Sequence, residues 1–368
     1  MKILFTRFPL ESCYGGAEVQ VLSLMEGLLE RGHAVAFLGS CPTLLEECGK
    51  RNIPFAKLNI GPPPVTKWNA ISFYWRKKKM QRKLEIAIKQ FHDLDAVVML
   101  SLSEKLLLTE IVNERSLVTG RSSLVVWLEH DRIGRWLKKN PWLSHLRKLS
   151  MLATTVVVSE LSKNIYVKLG FNPDRVVAIP NGIDPERFEL VECRMSNVEC
   201  HIGCIARLTY DKGVDLLIYA IKEIPEIKLT IIGTGRDEAT IKRENEKTRK
   251  RVNIIPRSEN LGNFYNSLDL LVLPSRQHDP FGLVAAEAMM LGVPVIVTDA
   301  CGIADYLENG VDSIIVKAGS SDAIKEGIQR LVNSEELRNK IGKAGKETAM
   351  EKFTVERMVG AYDELLKS

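Results

Sequence analysis

The sequence predicts an α/β protein made of two doubly wound parallel sheets, each in its own domain. Three observations lead there. The chain has 368 residues, too many for one ordinary core and enough for two domains of about 150 to 200 residues each. Short β-branched runs alternate with amphipathic helical patterns throughout, the signature of βαβ units. That periodicity stops once, after Pro180-Asn181-Gly182, where the polar stretch Glu186 to Glu199 intervenes as a linker candidate.

In order, the strand candidates of the first half are 2–6, 34–38, 54–58, 95–100, 123–128, 154–158 and 175–179. Those of the second are 201–206, 227–232, 252–255, 269–273, 293–298 and 311–316. Helical patterns fill the gaps. In 17–30, for example, Val21, Met25 and Leu28 recur at spacings of three and four. Trp68 to Phe91 reads as a longer helix with Met80, Leu84, Ile88 and Phe91 on one stripe. The last fifty residues are nearly all helical, ending in Val355 to Leu366. The expected division is therefore 1–185, 186–352, and a terminal helix over 353–368 that packs back toward the first domain.

Composition excludes several classes. Hydrophobic content of 45% with 26% charge is globular. No segment approaches the about 18 uninterrupted apolar residues of a membrane span. Met1 to Phe5 turns polar at Thr6 and Arg7, too soon for a secretory signal, so a cytoplasmic protein is expected. The seven cysteines are scattered without a Cys-x-x-Cys, and Cys200 and Cys204 read as core thiols on a strand. Net charge is uneven: residues 1–185 hold 26 Lys and Arg against 17 Asp and Glu, residues 186–368 hold 25 against 29. The first half should therefore face something anionic. Its basic residues are not interleaved with a nucleic-acid recognition motif, so no nucleic-acid partner is expected.

In doubly wound sheets ligands bind beyond the carboxyl ends of the strands. After the first strand come Cys13-Tyr14-Gly15-Gly16-Ala17-Glu18, opening a helix. Paired glycines let a phosphate approach free amides at a positive helix end, although the same pair also serves a plain flexible loop. After the first strand of the second half, Arg207 and Lys212 stand five residues apart in a loop that leads into a helix. Fixed cations there can neutralise a diphosphate leaving group without a metal. Strand 269–273 is followed by Asp279, then Phe281-Gly282-Leu283-Val284 opening a helix that carries Glu287. Carboxylates accept two hydrogen bonds at once from sugar or ribose hydroxyls, and the amides of 281–284 suit phosphate or sugar oxygens. Ala285, Ala286, Ala288, Met289 and Met290 make this a mostly buried helix, so a charge at Glu287 needs a partner or a role. Asp93-Leu94-Asp95 precedes a strand, the wrong sheet edge for a metal site.

The stretch from Asp279 to Glu287 resembles the donor-site signature of glycosyltransferase family 4, two glutamates with seven residues between them and Phe-Gly after the first. Leu291 to Gly302, Pro180-Asn181-Gly182-Ile183-Asp184, Arg207 with Lys212, and Gly15-Gly16 followed by Arg31-Gly32-His33 are similar to the same family. The resemblance spans nearly the whole chain and is densest from 200 to 316. It implies the GT-B fold, with two Rossmann-like domains facing across a cleft, and a metal-independent transfer with retention of anomeric configuration. No cofactor is expected beyond a UDP-, GDP- or ADP-linked sugar donor. By the resemblance, Arg207 and Lys212 bind the diphosphate and Glu287 the ribose. Phe281, Gly282, Leu283 and Val284 contact sugar or phosphate, and Gly15, Gly16 and Asn181 complete the donor site. Asp279 stands where the family has glutamate, so its contact with the donor sugar is expected to be lost, shifted or water-mediated. His130, after an apolar strand in Trp127-Leu128-Glu129-His130-Asp131, matches a family histidine near the reacting sugar, though a lone histidine there is more often structural. No nucleophile is assigned.

These readings point to transfer of a sugar to a saccharide or lipid-linked acceptor in envelope, capsule or lipopolysaccharide synthesis. A nucleotide-sugar epimerase, a phosphorylase on the same fold, and a non-catalytic nucleotide-sugar binder are the alternatives. The basic run Arg76, Lys77, Lys78, Lys79, with Arg82 and Lys83, lies next to Phe73, Tyr74 and Trp75. It reads either as a solvated helix face or as a surface for anionic lipid, which would place the protein peripherally on the inner face of the cell membrane.

Overall fold

In the computed structural model the residues described are 1–9, 15–119, 123–130, 135–188, 200–224, 227–246, 252–258 and 260–368, with the side chains of 115–119 and 135–136 left aside. Cys13, Tyr14, Asp131 and most of the expected linker lie outside them. Two compact units emerge, one formed by 1–182 with 355–368 and the other by 183–354.

The first unit holds β1 (Lys2–Arg7), β2 (Ala34–Gly39), β3 (Phe55–Lys57), β4 (Ala96–Met99), β5 (Leu124–Glu129), β6 (Thr154–Val157) and β7 (Val176–Ala178). They form one parallel sheet in the order β3-β2-β1-β4-β5-β6-β7. The second holds β8 (Cys200–Ile205), β9 (Ile227–Ile232), β10 (Val252–Ile255), β11 (Leu270–Leu273), β12 (Val295–Thr298) and β13 (Ile314–Val316). Their order is β10-β9-β8-β11-β12-β13, again parallel. Helices cover such sheets on both faces, so the inner strands β4, β11 and β12 are buried at every position. In each sheet the strand order reverses once, between β1 and β4 and between β8 and β11. Those reversals are where a crevice opens at the carboxyl ends.

Some elements end sooner than their sequence pattern. The long helix runs Lys67–Ile88. Just beyond it the amides of Gln90 and Phe91 bond three residues back, and Asp93 turns the chain at φ 58° into β4. The last strand begins only at Ile314, because Asp312 accepts from the amide of Glu308 (2.9 Å) and from Thr348 Oγ1 (2.9 Å), which holds the residues before it in a turn. Asp95 receives the amide of Lys2 at 2.7 Å, with Lys2 Nζ 3.8 Å from Asp93, so this carboxylate pair ties down the amino end of β1. The described cysteines are free, and burial pushes the Cys204 thiol up to about 12, as suits an inert core residue.

The terminal helix Val355–Lys367 belongs to the first unit and packs on the helix Gly16–Glu30. Met358, Val359, Tyr362 and Leu366 join the core of β1, β2 and β4. Gly27 makes the close approach possible: a β-carbon there would lie 2.5 Å from Val359 Cγ2. At the edge of this contact Asp363 accepts from His33 Nε2 at 2.9 Å and from Lys367 at 2.8 Å, which hold its carboxyl below the usual range. Gly27→Ala is expected to destabilise the chain by about 1–3 kcal/mol, the scale of overpacking a filled core. Val359→Ala added to it should recover part of that loss in denaturant unfolding. A Gly27→Ala chain that unfolds like the parent would remove the close-packing argument.

Candidate active site

In the second unit the loops after β8 and β11, the two strands at the reversal, are locked together. The amides of Arg276 and Gln277 donate to the carbonyl of Asp211 at 2.8 and 3.2 Å. Arg276 reaches back to the carbonyl of Tyr210 (2.5 Å) and to Asp215 (2.6 Å), with its guanidinium 4.0 Å from the centre of the Tyr210 ring. Gly213 takes φ 66°, and a β-carbon on it would sit 2.2 Å from the carbonyl oxygen of Pro274. Glycine is thus what lets the β8 loop turn into its helix while touching the β11 loop.

Within this frame the Lys212 Nζ donates to Asp279 Oδ2 at 2.6 Å, and Ser275 Oγ donates to the same oxygen at 3.2 Å. Both charged side chains are largely buried. Backbone bonds fix the rest of the β11 loop: the Asp279 amide donates to Ala300, and the amides of Gly302 and Ile303 donate to the carbonyls of Asp279 and Phe281. Phe281 is buried edge-on to Phe353. Gly282, at φ 100°, then opens the helix Leu283–Met290, whose first amides have no partner within the helix. Arg207 differs from its neighbours. It is exposed and has no ion-pair partner among the described residues.

Glu287 lies in the second turn of that helix and is buried. Its Oε2 accepts from Tyr265 Oη at 2.6 Å, while Oε1 has no protein partner among the described residues. Burial raises the pKa of the Glu287 carboxyl, against the Tyr265 hydrogen bond and the charge of Arg187. Burial likewise raises the Tyr265 phenol well above its ordinary value, with the carboxylate of Glu287 adding to it.

The first unit has its own group of charges at the ends of β1, β4 and β5. Arg7, closing β1, pairs with Glu18 in the first turn of Gly16–Glu30 at 2.6 Å, so a carboxylate already complements this helix end next to Gly15. Lys105 is buried. It donates to the carbonyls of Leu100 (3.3 Å) and Leu128 (3.1 Å) and pairs with Glu129 at 2.7 Å, stitching β4 to β5. Half-buried His130 follows directly. Glu104 accepts from the Ser101 amide at 2.6 Å, and burial pushes its carboxyl up to about 7. Asn181 is buried, and Gln20 clasps the neighbouring Gly182, donating to its carbonyl (2.7 Å) and accepting from its amide (2.9 Å).

Arg207, Lys212, Asp279 and the Phe281–Val284 segment thus meet at one strand-end reversal, with Glu287 one turn further along the helix. Gly15, Gly16, His130 and Asn181 stand in the first unit. Arg276, Ser275, Tyr265 and Lys105 escaped sequence reasoning. Glu104 escaped it too, although it carried a signal in the helix-capping spacing Ser101-x-x-Glu104, as Ser275 and Arg276 did in their place after β11.

Two successive parallel α/β units with loops locked at a strand reversal define the GT-B class, and comparison with solved structures agrees. The chain aligns over its whole length with the whole of Anabaena Alr3699/HepE crystallised with UDP (TM-score 0.82, 19% identity). It also matches the apo lipopolysaccharide outer core galactosyltransferase WaaB, over 100% of this chain and 99% of that one (TM-score 0.75, 16% identity). The model for Glycosyltransferase Family 4 matches residues 14–187, and that for Glycosyl transferases group 1 matches 199–348. The chain belongs to the family 4 glycosyltransferases. Among curated relatives, the capsular polysaccharide biosynthesis glycosyltransferase CapM of Staphylococcus aureus is 32% identical over 231 residues, 58% of this chain and 59% of that protein. The lipopolysaccharide 1,2-N-acetylglucosaminetransferase of Salmonella typhimurium is 26% identical over 182 residues, 44% of this chain and 46% of that protein. The chain therefore spans about half the length of the curated relatives it matches.

Glu104 supplies a pH test. Its carboxyl titrates near 4.5 when unfolded and is pushed up to about 7 by burial, so the folded state holds the proton over the interval between. Native stability from this group is full below 4.5 and is lost as pH rises through about 7. Glu104→Gln should flatten the fall in melting temperature across that interval. An unchanged pH profile would mean that Glu104 does not titrate there.

Proposed function

We propose that the protein transfers a sugar from a nucleoside diphosphate donor to a saccharide or lipid-linked acceptor, with retention of configuration, in envelope or capsule polysaccharide synthesis. The observation that carries the reading is the meeting of Arg207, Lys212 and the Gly282 helix start at the β8/β11 reversal, a setting for a diphosphate. Arg207 and Lys212 take the diphosphate and stabilise its charge as the bond to the sugar breaks. The open oxygen of Glu287 takes a ribose hydroxyl, while Tyr265 holds the other and fixes the side chain. The first unit, with Gly16, Asn181 and His130, is the acceptor side and orients the reacting sugar. The HepE structure was solved with UDP, and curated relatives are named for capsule and lipopolysaccharide synthesis, which makes UDP-sugars the first donors to test. The cations supply the charge that a metal would otherwise bring, so turnover is expected to survive excess chelator. The protein works at the cytoplasmic face of an anionic membrane.

One observation favours a second reading, donor binding without turnover: the Asp279 carboxylate is held by Lys212 and Ser275. Asp279→Glu, one methylene longer, separates the two, since it should raise turnover or alter donor choice only in an enzyme.

A thermal-shift screen against nucleoside diphosphates should show a rise with the cognate base, because a ligand bound only by the native state stabilises it. Arg207→Ala is expected to cut turnover by about one to three orders of magnitude, the scale of losing one preorganised contact to developing charge. Its melting temperature should be unchanged because the side chain is exposed. Lys212→Ala should cut turnover similarly, and it also strands Asp279, so its stability should fall. Parental kcat/KM in both folded variants would remove the diphosphate assignment. Glu287→Gln should weaken nucleoside diphosphate binding, and unchanged affinity would free Glu287 of the ribose.

A further inference from the structure

The helix Lys67–Ile88 carries seven basic residues and one acid, Glu85. Its phase divides the six basic residues after Lys67 into two groups. Arg76 bonds the Pro62 carbonyl and Ser72, Lys77 lies 3.8 Å from Glu110 and over the Trp142 ring, and Lys83 donates to the Asn59 carbonyl. These three serve the fold. Of the aromatic residues, Phe73 is buried against Trp142 and Tyr74 stacks on the same ring.

The opposite face has spacings of three and four: Trp68, Ile71, Trp75, Lys79, Arg82 and Ile86, with Lys78 alongside, all exposed. Trp68 is 78% exposed and Trp75 77%, and the helix holds five of the thirteen exposed large hydrophobic residues of the described chain. Such residues scattered singly are unremarkable, whereas a row on one helix face requires an occupant. The composition of the row says which kind. Protein interfaces deplete lysine from their centres, yet here lysine and arginine stand in line with the tryptophans. A lipid interface accommodates both, with indole rings at headgroup depth and cationic side chains reaching phosphates. The helix's one acid, Glu85, stands seven residues after Lys78 at the edge of this face, where Lys78, Lys79 and Arg82 outnumber it, so the net charge of the face complements an anionic surface.

We propose that this face is a docking surface for an anionic lipid bilayer, with Trp68 and Trp75 as wedges and Lys78, Lys79 and Arg82 as headgroup contacts. The proposal deepens the membrane-face reading above and rests on it, while standing apart from the donor chemistry.

The test is cosedimentation of the full chain with phosphatidylcholine vesicles, with and without phosphatidylglycerol. The parent should partition to the anionic vesicles at low salt and be released at high salt, and brominated acyl chains should quench part of its tryptophan fluorescence. Lys78→Gln/Lys79→Gln/Arg82→Gln should lower partitioning about tenfold or more. Trp68→Ser/Trp75→Ser should lower it comparably and abolish the quenching. Lys77→Gln, a fold-facing control, should partition like the parent. Failure of the parent to bind anionic vesicles, or parental binding by both multiple variants, overturns the proposal. Lipid-free self-association lost in the tryptophan variant would overturn it too, giving the face to a second copy of the chain. Every substituted residue in the two multiple variants is exposed, and a retained nucleoside diphosphate thermal shift shows that the donor reading is untouched.

Discussion

Parallel strand pairing governs where this chain can carry chemistry. A sheet covered by helices on both faces leaves its strands no solvated side, and β4, β11 and β12 accordingly bury every residue. Charged groups are excluded from these inner strands and collect beyond strand ends, among them those where the order reverses between β1 and β4 and between β8 and β11. The Lys212–Asp279 and Arg276–Asp215 pairs stand at one reversal and Arg7–Glu18 at the other, with Lys105–Glu129 next to it between β4 and β5. Each pair joins segments that follow different strands, or a strand end to a neighbouring helix, so pairing of charge and registration of these segments are the same event.

What the sequence revealed follows from the same constraint. Strands buried on both faces read as unbroken apolar runs, which made the inner strands legible, and all thirteen strand positions were found with ends off by a few residues. The ends were set by contacts far away in the chain, such as Asp312 with Thr348, which no local pattern encodes. The need for a partner at Glu287 was legible from its alanine and methionine neighbours. The partner itself, Tyr265, stands 22 residues away on another helix, in a run without any mark of its role. The tie between Lys212 and Asp279 crosses 67 residues and was equally hidden. Likewise, the run from Arg76 to Lys83 looks uniform as text, and only the helical phase separates the cations that hold the fold from those that face outward.

Asp279 shows how one methylene can redistribute a site. A carboxylate close to the backbone stays within reach of Lys212 and Ser275, in the loops after β8 and β11, and it is held there at hydrogen-bond distance. A glutamate would carry its oxygens further from the loop. The shorter residue therefore exchanges reach toward a ligand for rigidity of the lysine beside it.

That exchange bears on how the site handles an incoming anion. A largely buried ammonium without a counter-charge would be costly, and Asp279 removes that penalty in the unliganded protein. The ammonium has three donors, of which the carboxylate takes one, so Lys212 remains able to donate to a phosphate from a fixed position. Arg207 has no such tie among the described residues and stays exposed, which makes it the group whose charge is least compensated locally. The two cations thus divide the work that fixed charge must do: Lys212 is held in place before a ligand arrives, and Arg207 brings the net positive charge that favours the arrival of a diphosphate.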